Sequence, residues 1–195
     1  MKKMMVCILL FSFIQNSNAQ KKEKPLHFTS INNIGLIIGE KQSCFSLQTI
    51  NGLQLKNNWF FGLGVAYDPY QIAAIPVFVD ARKYLGHKQW QPFLYADAGE
   101  SFTLHNSNYP KTWSYGGEAY TFKPSLYGEA GLGFSKSISK NAKFILSAGY
   151  SYRQFNYSQP NYIIIDFPPY GTGNINEYQY RFSFQRLTIK MGLEF

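Results

Sequence analysis

The stretch that decides the fold closes the chain: Leu187-Thr188-Ile189-Lys190-Met191-Gly192-Leu193-Glu194-Phe195. Apolar side chains occupy every second position of this stretch, and polar or small residues fill the positions between them. A period of two, with one apolar and one polar face, indicates a half-buried β-strand rather than a helix. The same period, followed back through the chain, predicts the other strands.

The alternation recurs in eight segments, each long enough to cross the hydrocarbon core of a bilayer at a tilt. The predicted strands are residues 31–40, 44–55, 59–67, 75–84, 92–104, 124–135, 142–155 and 180–195. With the N-terminus on the periplasmic side, the turns on that side are short, and two connections on the other side, residues 105–123 and 156–179, are long. This asymmetry is typical of outer-membrane barrels. We therefore predict an all-β fold, an eight-stranded antiparallel transmembrane up-and-down β-barrel.

The start of the chain predicts export. Two lysines precede an apolar run over residues 4–14, and the small residues Ser17 and Ala19 follow at signal-peptidase positions. This order is that of a secretory signal peptide, and the run is shorter than the ~20 residues of a spanning helix. We expect residues 1–19 to be the signal peptide, residues 20–30 a short periplasmic segment, and residues 31–195 the outer-membrane barrel.

Composition narrows the class of protein. The chain has 195 residues, of which 18% are aromatic and 15% are charged. Its mean hydropathy is slightly negative, as expected for strands that alternate apolar and polar residues. The formal net charge of +8 comes from scattered bases, so nucleic acid is not an expected partner. Cys44 stands alone after export, which leaves no intrachain disulfide.

Alternation alone does not say which strand face points inward. In a soluble ligand-binding barrel such as a lipocalin the apolar face lines the interior, and this is one alternative. Here charged and small residues share a face, which fits a narrow polar lumen better than a solvated exterior. We expect the charged groups to pair and plug the lumen, with Arg82 bridging Asp80 or Asp97; a selectivity ring in a narrow ion pore is the alternative. The charged positions are Asp80, Arg82, Asp97, Glu129, Arg153, Arg186 and Lys190.

Two neighbouring strands resemble a known family. They read Ile75-Pro76-Val77-Phe78-Val79-Asp80-Ala81-Arg82-Lys83-Tyr84 and Pro92-Phe93-Leu94-Tyr95-Ala96-Asp97-Ala98-Gly99. Both resemble the small outer-membrane barrels of Bacteroidota-type bacteria, relatives in fold of OmpA/OmpX-like barrels that are often called porin-like. The Ala19-Gln20 junction is similar to their cleavage sites. The resemblance implies a Gram-negative outer membrane, contact with its lipid and lipopolysaccharide, and an assembly signal at Phe195 for the barrel-assembly machinery.

The long outer loops hold the remaining candidates for chemistry. His105, Ser107 and Glu118 could form a nucleophilic triad. The segment His105-Asn106-Ser107-Asn108 is similar to a His-x-Ser-Asn motif of outer-membrane lipid A deacylases. In that family the motif lies close to the C-terminus, and its flanking Asn-Pro-Gly signature is absent here. The simpler alternative is a loop histidine that is exposed to solvent.

Aromatic residues of the same loops could offer rigid contact area to a glycan or a protein, or could simply girdle the membrane interface. The binding candidates are Tyr109, Trp113, Tyr115, Tyr162 and Tyr170. No metal-ligand spacing or cofactor fingerprint occurs, so we expect neither a metal nor a cofactor. We expect a non-enzymatic outer-membrane barrel with a structural or interaction role, alone or with an envelope protein partner. The alternatives are a lipid A deacylase-like enzyme and a soluble binding barrel.

Overall fold

A computed structural model describes residues 26–86, 90–104, 121–139, 141–161 and 176–195. The described residues form nine strands: β1 (His27–Gly39), β2 (Ser43–Gln54), β3 (Trp59–Tyr67), β4 (Ala74–Tyr84), β5 (Trp90–Thr103), β6 (Thr121–Lys123), β7 (Ser125–Ser137), β8 (Lys143–Asn161) and β9 (Asn176–Glu194). In this part of the chain, no helix is long and apolar enough to cross a membrane.

The strands close into a barrel. All the pairs are antiparallel, and β9 pairs with both β8 and β1, which joins the two ends of the sheet. The short β6 and the longer β7 lie one after the other along β8, with Pro124 between them. Proline has no N–H to donate to a ladder, so the two segments are one barrel strand interrupted at Pro124. The barrel therefore has eight strands, which confirms the predicted fold.

The register of the pairs fixes the stagger of the barrel. Moving from partner to partner around the barrel, a path that leaves β5 at Trp90 returns to β5 at Glu100, ten residues further along. The partners between them are Lys136, Phe144, Leu193, Asn32, Thr49, Val65 and Val77. Such a stagger tilts the strands against the barrel axis, and eight tilted strands enclose only enough room for side chains.

Several strands are longer than the sequence pattern predicts. β1 begins at His27, so the barrel starts inside the segment 20–30 that we expected to precede it. β8 and β9 extend into both ends of the expected outer loop 156–179, to Asn161 and from Asn176, and form a projecting hairpin. The residues added to β8 and β9 are largely polar. Backbone pairing with the neighbouring strand holds them in place, and an alternation of apolar residues cannot reveal them in the sequence. The expected signal peptide lies outside the described residues.

Alternate side chains of each strand face the lumen and the exterior. Along β9, Leu187, Ile189 and Met191 are exposed, whereas the side chains between them are buried. The same division holds on the other long strands: the outer face carries large apolar residues, and the lumen carries charged and aromatic residues. In the described strands, the charged face therefore points into the lumen and the large apolar side chains point outward.

Candidate functional site

The seven charged residues predicted to face the lumen are all buried inside the barrel, and none is more than 5% exposed. The structure adds two acids to them, Asp68 and Glu194. Asp68 directly follows β3 and belongs by pattern to an outer connection, so strand alternation did not identify it. Glu194 lies on the polar face of the last strand, and the alternation there was sufficient to find it. We call these nine residues the lumenal charge network.

Glu129 of β7 lies at the centre of the network. Its Oε1 accepts hydrogen bonds from Lys190 Nζ at 2.7 Å, Tyr95 OH at 2.7 Å and Thr188 Oγ1 at 2.9 Å. Its Oε2 accepts one from Tyr127 OH at 3.0 Å. Four donors satisfy the carboxylate, which is the condition under which a buried charge is tolerated. The Lys190–Glu129 pair also joins β9 to β7 across β8, so it braces strands that do not pair with each other.

Arg82 makes the bridge expected of it with Asp80. Its Nε lies 3.0 Å from each carboxylate oxygen of Asp80, which is two residues away on the same strand. The guanidinium also lies over the rings of Phe93 and Tyr95, at 5.5 and 5.6 Å from their centroids. Stacking on two aromatic faces holds the planar guanidinium in one orientation. Arg82 therefore forms an ion pair with Asp80 and stacks on Phe93 and Tyr95 of β5.

Asp97 is held differently, although it lies directly opposite Asp80 in the register of β4 and β5. Its Oδ2 accepts a hydrogen bond from Gln48 Nε2 at 3.4 Å, and its Oδ1 has no partner among the described residues. Gln48 in turn accepts from Lys190 Nζ at 3.2 Å and from Asn33 Nδ2 at 2.9 Å. Gln48 therefore links Asp97 to the central Lys190–Glu129 pair.

Two arginines converge on Asp68 at the outer end of the lumen. Arg186 Nη1 lies 2.5 Å and Arg153 Nη1 lies 3.2 Å from Asp68 Oδ2. Arg186 Nη2 also donates to Ser151 Oγ at 2.7 Å. Arg153 Nη2 donates to the backbone carbonyls of Tyr70 at 2.7 Å and Ile72 at 3.0 Å. The guanidinium of Arg153 therefore binds the segment after β3 both through backbone carbonyls and through the carboxylate of Asp68.

The connection that follows β3 folds into the barrel mouth. The backbone N–H and carbonyl of Asp68 pair with those of Ala74 at 2.9 Å, which closes residues 68–73 into a compact loop. Tyr70 and Ile72 of this loop are buried. The Tyr70 ring lies 5.4 Å from the Arg186 guanidinium and packs edge-on against Phe184 at 5.7 Å. We call residues 68–73 the cap segment, because they cover the outer mouth of the lumen.

Glu194 closes the inner end of the lumen. Its Oε2 accepts a hydrogen bond from Tyr84 OH at 2.8 Å, and its Oε1 accepts one from Lys143 Nζ at 2.6 Å. Aromatic and aliphatic side chains fill the space between the charged groups: Ile31, Ile50, Phe60, Phe78, Tyr84, Phe93, Tyr95, Tyr127 and Ile145. A cavity of about 10 Å³ lies between the central and outer charges, which is room for about one water molecule. The described lumen is therefore occupied by side chains along its length.

A second group of aromatic residues lies on the projecting hairpin, beyond the barrel mouth. The rings of Tyr157 and Tyr180 stack at 4.9 Å, and Phe182 stacks against Tyr157 at 6.1 Å. Phe155 continues the row at 5.7 Å from Tyr157, and Phe122 follows at 5.6 Å from Phe155. Tyr180 and Phe182 are partly exposed, so this aromatic row offers flat apolar surface to a ligand. Phe155, Tyr180 and Phe182 lie in the predicted strands, whereas Phe122 and Tyr157 fall in the predicted outer loops 105–123 and 156–179, so the sequence did not place the five rings in one row.

The remaining site predictions fall mostly outside the described residues. The loop candidates Tyr109, Trp113, Tyr115, Tyr162 and Tyr170 and the triad candidates His105, Ser107 and Glu118 all lie there. Phe195 is described: its backbone N–H and carbonyl pair with Ser30 at 2.9 and 3.0 Å, and its side chain is exposed on the outer face. Among the described residues, no group of three or more His, Cys, Asp or Glu could hold a metal ion.

Comparison with known proteins identifies the fold. No family model matches the chain, and no curated protein is similar to it in sequence. The outer membrane protein OprG from Pseudomonas aeruginosa is similar in structure over 87% of this chain and 96% of its own, with a TM-score of 0.53 and 13% identity. Neisserial surface protein A covers 86% of this chain and 94% of its own, with a TM-score of 0.49 and 14% identity. Outer membrane protein AlkL covers 93% and 96%, with a TM-score of 0.45 and 8% identity. The chain is a closed eight-stranded antiparallel β-barrel that matches outer-membrane barrel structures.

Proposed function

We propose that this protein is an outer-membrane barrel of a Gram-negative cell, exported by the signal peptide 1–19 and related to the porin-like barrels of Bacteroidota-type bacteria. Its role is structural or interactive rather than catalytic. The observation that carries the proposal is the distribution of side chains, with apolar residues outside and charged residues inside, the reverse of a water-soluble protein. Phe45 and Leu63 point outward and are 73% and 69% exposed, whereas Arg153 and Arg186 point inward and are buried. An apolar exterior of this extent is suited to lipid and is unfavourable in water.

Aromatic residues at the inner edge of the apolar belt support the same location. Trp59 begins β3 and Trp90 begins β5, so both lie at the inner ends of their strands, and both are exposed. Lys83 Nζ lies 5.0 Å from the ring centroid of Trp59, and Lys136 Nζ lies 4.8 Å from that of Trp90. Tryptophan with a nearby lysine is the pairing expected where hydrocarbon meets headgroups.

The lumenal charge network supports a plugged barrel rather than a pore. Acids and bases pair from Glu194 at the inner mouth to Asp68 at the outer mouth, and the cap segment covers the outer mouth. A filled lumen also argues against the soluble ligand-binding barrel, which needs an apolar interior cavity. Binding then falls to the outer surface, where the aromatic row suits a glycan or a protein partner. The alternative of a lipid A deacylase-like enzyme rests on His105, Ser107 and Glu118 and is tested by lipid A mass in cells with and without the protein.

A charge placed on the outer wall tests the membrane location. Leu132→Arg puts a guanidinium on the exposed face of β7 and is expected to lower the unfolding free energy by about 2–4 kcal/mol if Leu132 lies near the bilayer midplane. The measurement is the urea unfolding midpoint of the liposome-folded barrel, with Leu132→Met as the control. If the wall faced water instead, the arginine would change the midpoint little, and the protein would migrate alike in SDS gels with and without boiling. Either result would contradict the proposed membrane location.

The terminal residue tests the assembly pathway. We expect removal of Phe195 to reduce the folded protein in the outer membrane several-fold, because terminal aromatic residues mark such strands in the resembled family. The readout is the fraction of heat-modifiable protein in outer-membrane preparations. Phe195→Tyr keeps an aromatic ring and is the control, with levels close to those of the natural chain. Undiminished levels after the deletion would show that this end is not the signal.

A further inference from the structure

One region of the outer wall breaks the apolar belt. Ser30 and Asn32 on β1 and Thr49 and Asn51 on β2 occupy outward positions, and Asn32, Thr49 and Asn51 are exposed. They are cross-strand neighbours, since Ser30 pairs with Asn51 and Asn32 pairs with Thr49. We call these four residues the polar island. It was not apparent from the alternation, in which Thr49 and Asn51 only interrupted an apolar series.

The polar island lies inside the apolar belt and not at its edge. Along β2, Leu53 lies below it and Leu47 above it, and both are exposed. On the flanking strands, Leu193 is paired with Asn32 and Leu63 with Asn51. Along β1, the exposed Phe28 and Ile34 bound the polar island in the same way. The ring of partners that climbs from Trp90 to Glu100 passes through the polar island about halfway, which places it near mid-height of the wall.

The polar island is only partly satisfied within one chain. Thr49 Oγ1 donates to Asn32 Oδ1 at 2.9 Å, which leaves the two N–H donors of the Asn32 amide unused on the outer face. The Asn51 side chain makes no hydrogen bond to the described residues. Lipid tails cannot accept or donate a hydrogen bond, and headgroups lie at the edges of the belt. Amides in this position gain free energy from any partner that presents donors and acceptors at the same depth.

We propose that the polar island is the contact surface for a second copy of this chain in the outer membrane, a proposal that rests on the location proposed above. Amides and hydroxyls both donate and accept, so the polar island is complementary to itself. Two copies assembled by one route have the same orientation in the bilayer, which brings their polar islands to one depth. A two-fold axis along the membrane normal then pairs the polar island of one copy with that of its partner.

A groove that Asn32 and Thr49 of the polar island help to line supports the same occupant. Its volume is about 690 Å³, and Ile34, Leu47, Val65 and Met191 are among its mostly apolar lining. Phe45 and Leu63 protrude from the adjacent wall and are of a size to enter the corresponding groove of a second copy. The contact surface thus combines hydrogen-bonding groups with apolar packing, the two interactions that associate membrane-spanning elements.

Cysteine cross-linking in native outer membranes tests the proposal. In a Cys44→Ser background, we expect Asn32→Cys, Thr49→Cys or Asn51→Cys to form a disulfide-linked homodimer under a membrane-permeant oxidant. Leu132→Cys on the far wall is the matched control and should cross-link at least several-fold less. Equal cross-linking at both walls would indicate random collision, an adduct with a different protein would identify another partner, and no adduct would indicate a monomer. Each of these three results would overturn the proposal.

A triple variant separates association from folding. Asn32→Leu, Thr49→Val and Asn51→Leu together make the wall uniformly apolar, like the rest of the belt, so the barrel is expected to fold and insert normally. The dimer dissociation constant in nanodiscs should rise by about tenfold or more, because the polar contacts between the two copies are lost. An unchanged constant with a folded barrel would contradict this inference alone. Failure of the natural chain to enter membranes would instead contradict the proposed location.

Discussion

Replacing Glu129 with leucine is expected to destabilise the barrel by about 3–5 kcal/mol. The change removes the acceptor of four donors. Among the described residues, it leaves the buried ammonium of Lys190 with the Gln48 side-chain carbonyl at 3.2 Å and the Tyr95 ring at 5.6 Å. Breaking one side of a buried ion pair is costly because the remaining charge stays in a medium that solvates it poorly. The measurement is the unfolding midpoint of the liposome-folded protein in urea.

Two further variants show whether this loss comes from the ion pair. Glu100→Leu makes the same chemical change at an exposed acid on the outer face of β5, and it is expected to change the unfolding free energy much less. Glu129→Leu combined with Lys190→Met removes both charges and should recover part of the loss. Losses that simply add in the double variant would contradict a direct interaction between the two residues.

The outward and inward faces of the strands could be predicted from the sequence, because a period of two separates them whatever the tertiary partners are. Phe195 and Leu193 on one face and Lys190 on the other illustrate this on a single strand. The distribution of charge indicated which face points inward, because an eight-stranded barrel that buries arginines must hold them in its lumen. The order in which strands pair then follows the chain order, as it does in up-and-down barrels.

The pairing of charges within the lumen could not be predicted. Asp80 and Asp97 are equally near Arg82 by sequence pattern, and the choice of Asp80 depends on the rings of Phe93 and Tyr95 that orient the guanidinium. Such contacts depend on side-chain rotamers in a crowded interior and not on register alone. Gln48 is a similar case, because a single amide on the lumen face gave no indication that it would link Asp97 to Lys190.

The cap segment was missed for a different reason. Asp68-Pro69-Tyr70 is typical of an exposed turn, since proline and aspartate favour such connections. Its inward fold depends on Arg153 and Arg186, which are 85 and 118 residues further along the chain than Asp68. Local sequence carries no signal for contacts at that separation. The structure therefore changes the interpretation of this connection from an outer loop to the closure of the lumen.

Asp68→Asn is expected to have the other large effect, a loss of about 3–5 kcal/mol in unfolding free energy. Asp68 is the acid that both Arg153 and Arg186 contact, so the variant leaves two buried guanidiniums facing a neutral side chain. It also removes the negative charge that attaches the cap segment to the barrel wall. Urea unfolding of the liposome-folded barrel measures the loss, and single-barrel conductance in planar bilayers measures whether the outer mouth has loosened. Glu40→Gln, at an exposed acid beyond the end of β1, is the matched control.

The relative stability of two variants, Asp68→Asn and Arg186→Met, tests this prediction more closely. In Arg186→Met, Asp68 keeps its pair with Arg153 at 3.2 Å, and the cap segment keeps the hydrogen bonds from Arg153 Nη2 to the Tyr70 and Ile72 carbonyls. One charge is then missing, but every acid at the outer mouth still has a base. In Asp68→Asn, two bases have lost their acid, and mutual repulsion of the guanidiniums adds to their desolvation. Asp68→Asn must therefore destabilise the barrel more than Arg186→Met does. The reverse order would mean that Arg186 stabilises the mouth mainly through its contacts with Ser151 and the Tyr70 ring, and that the cap segment is held by packing rather than by charge.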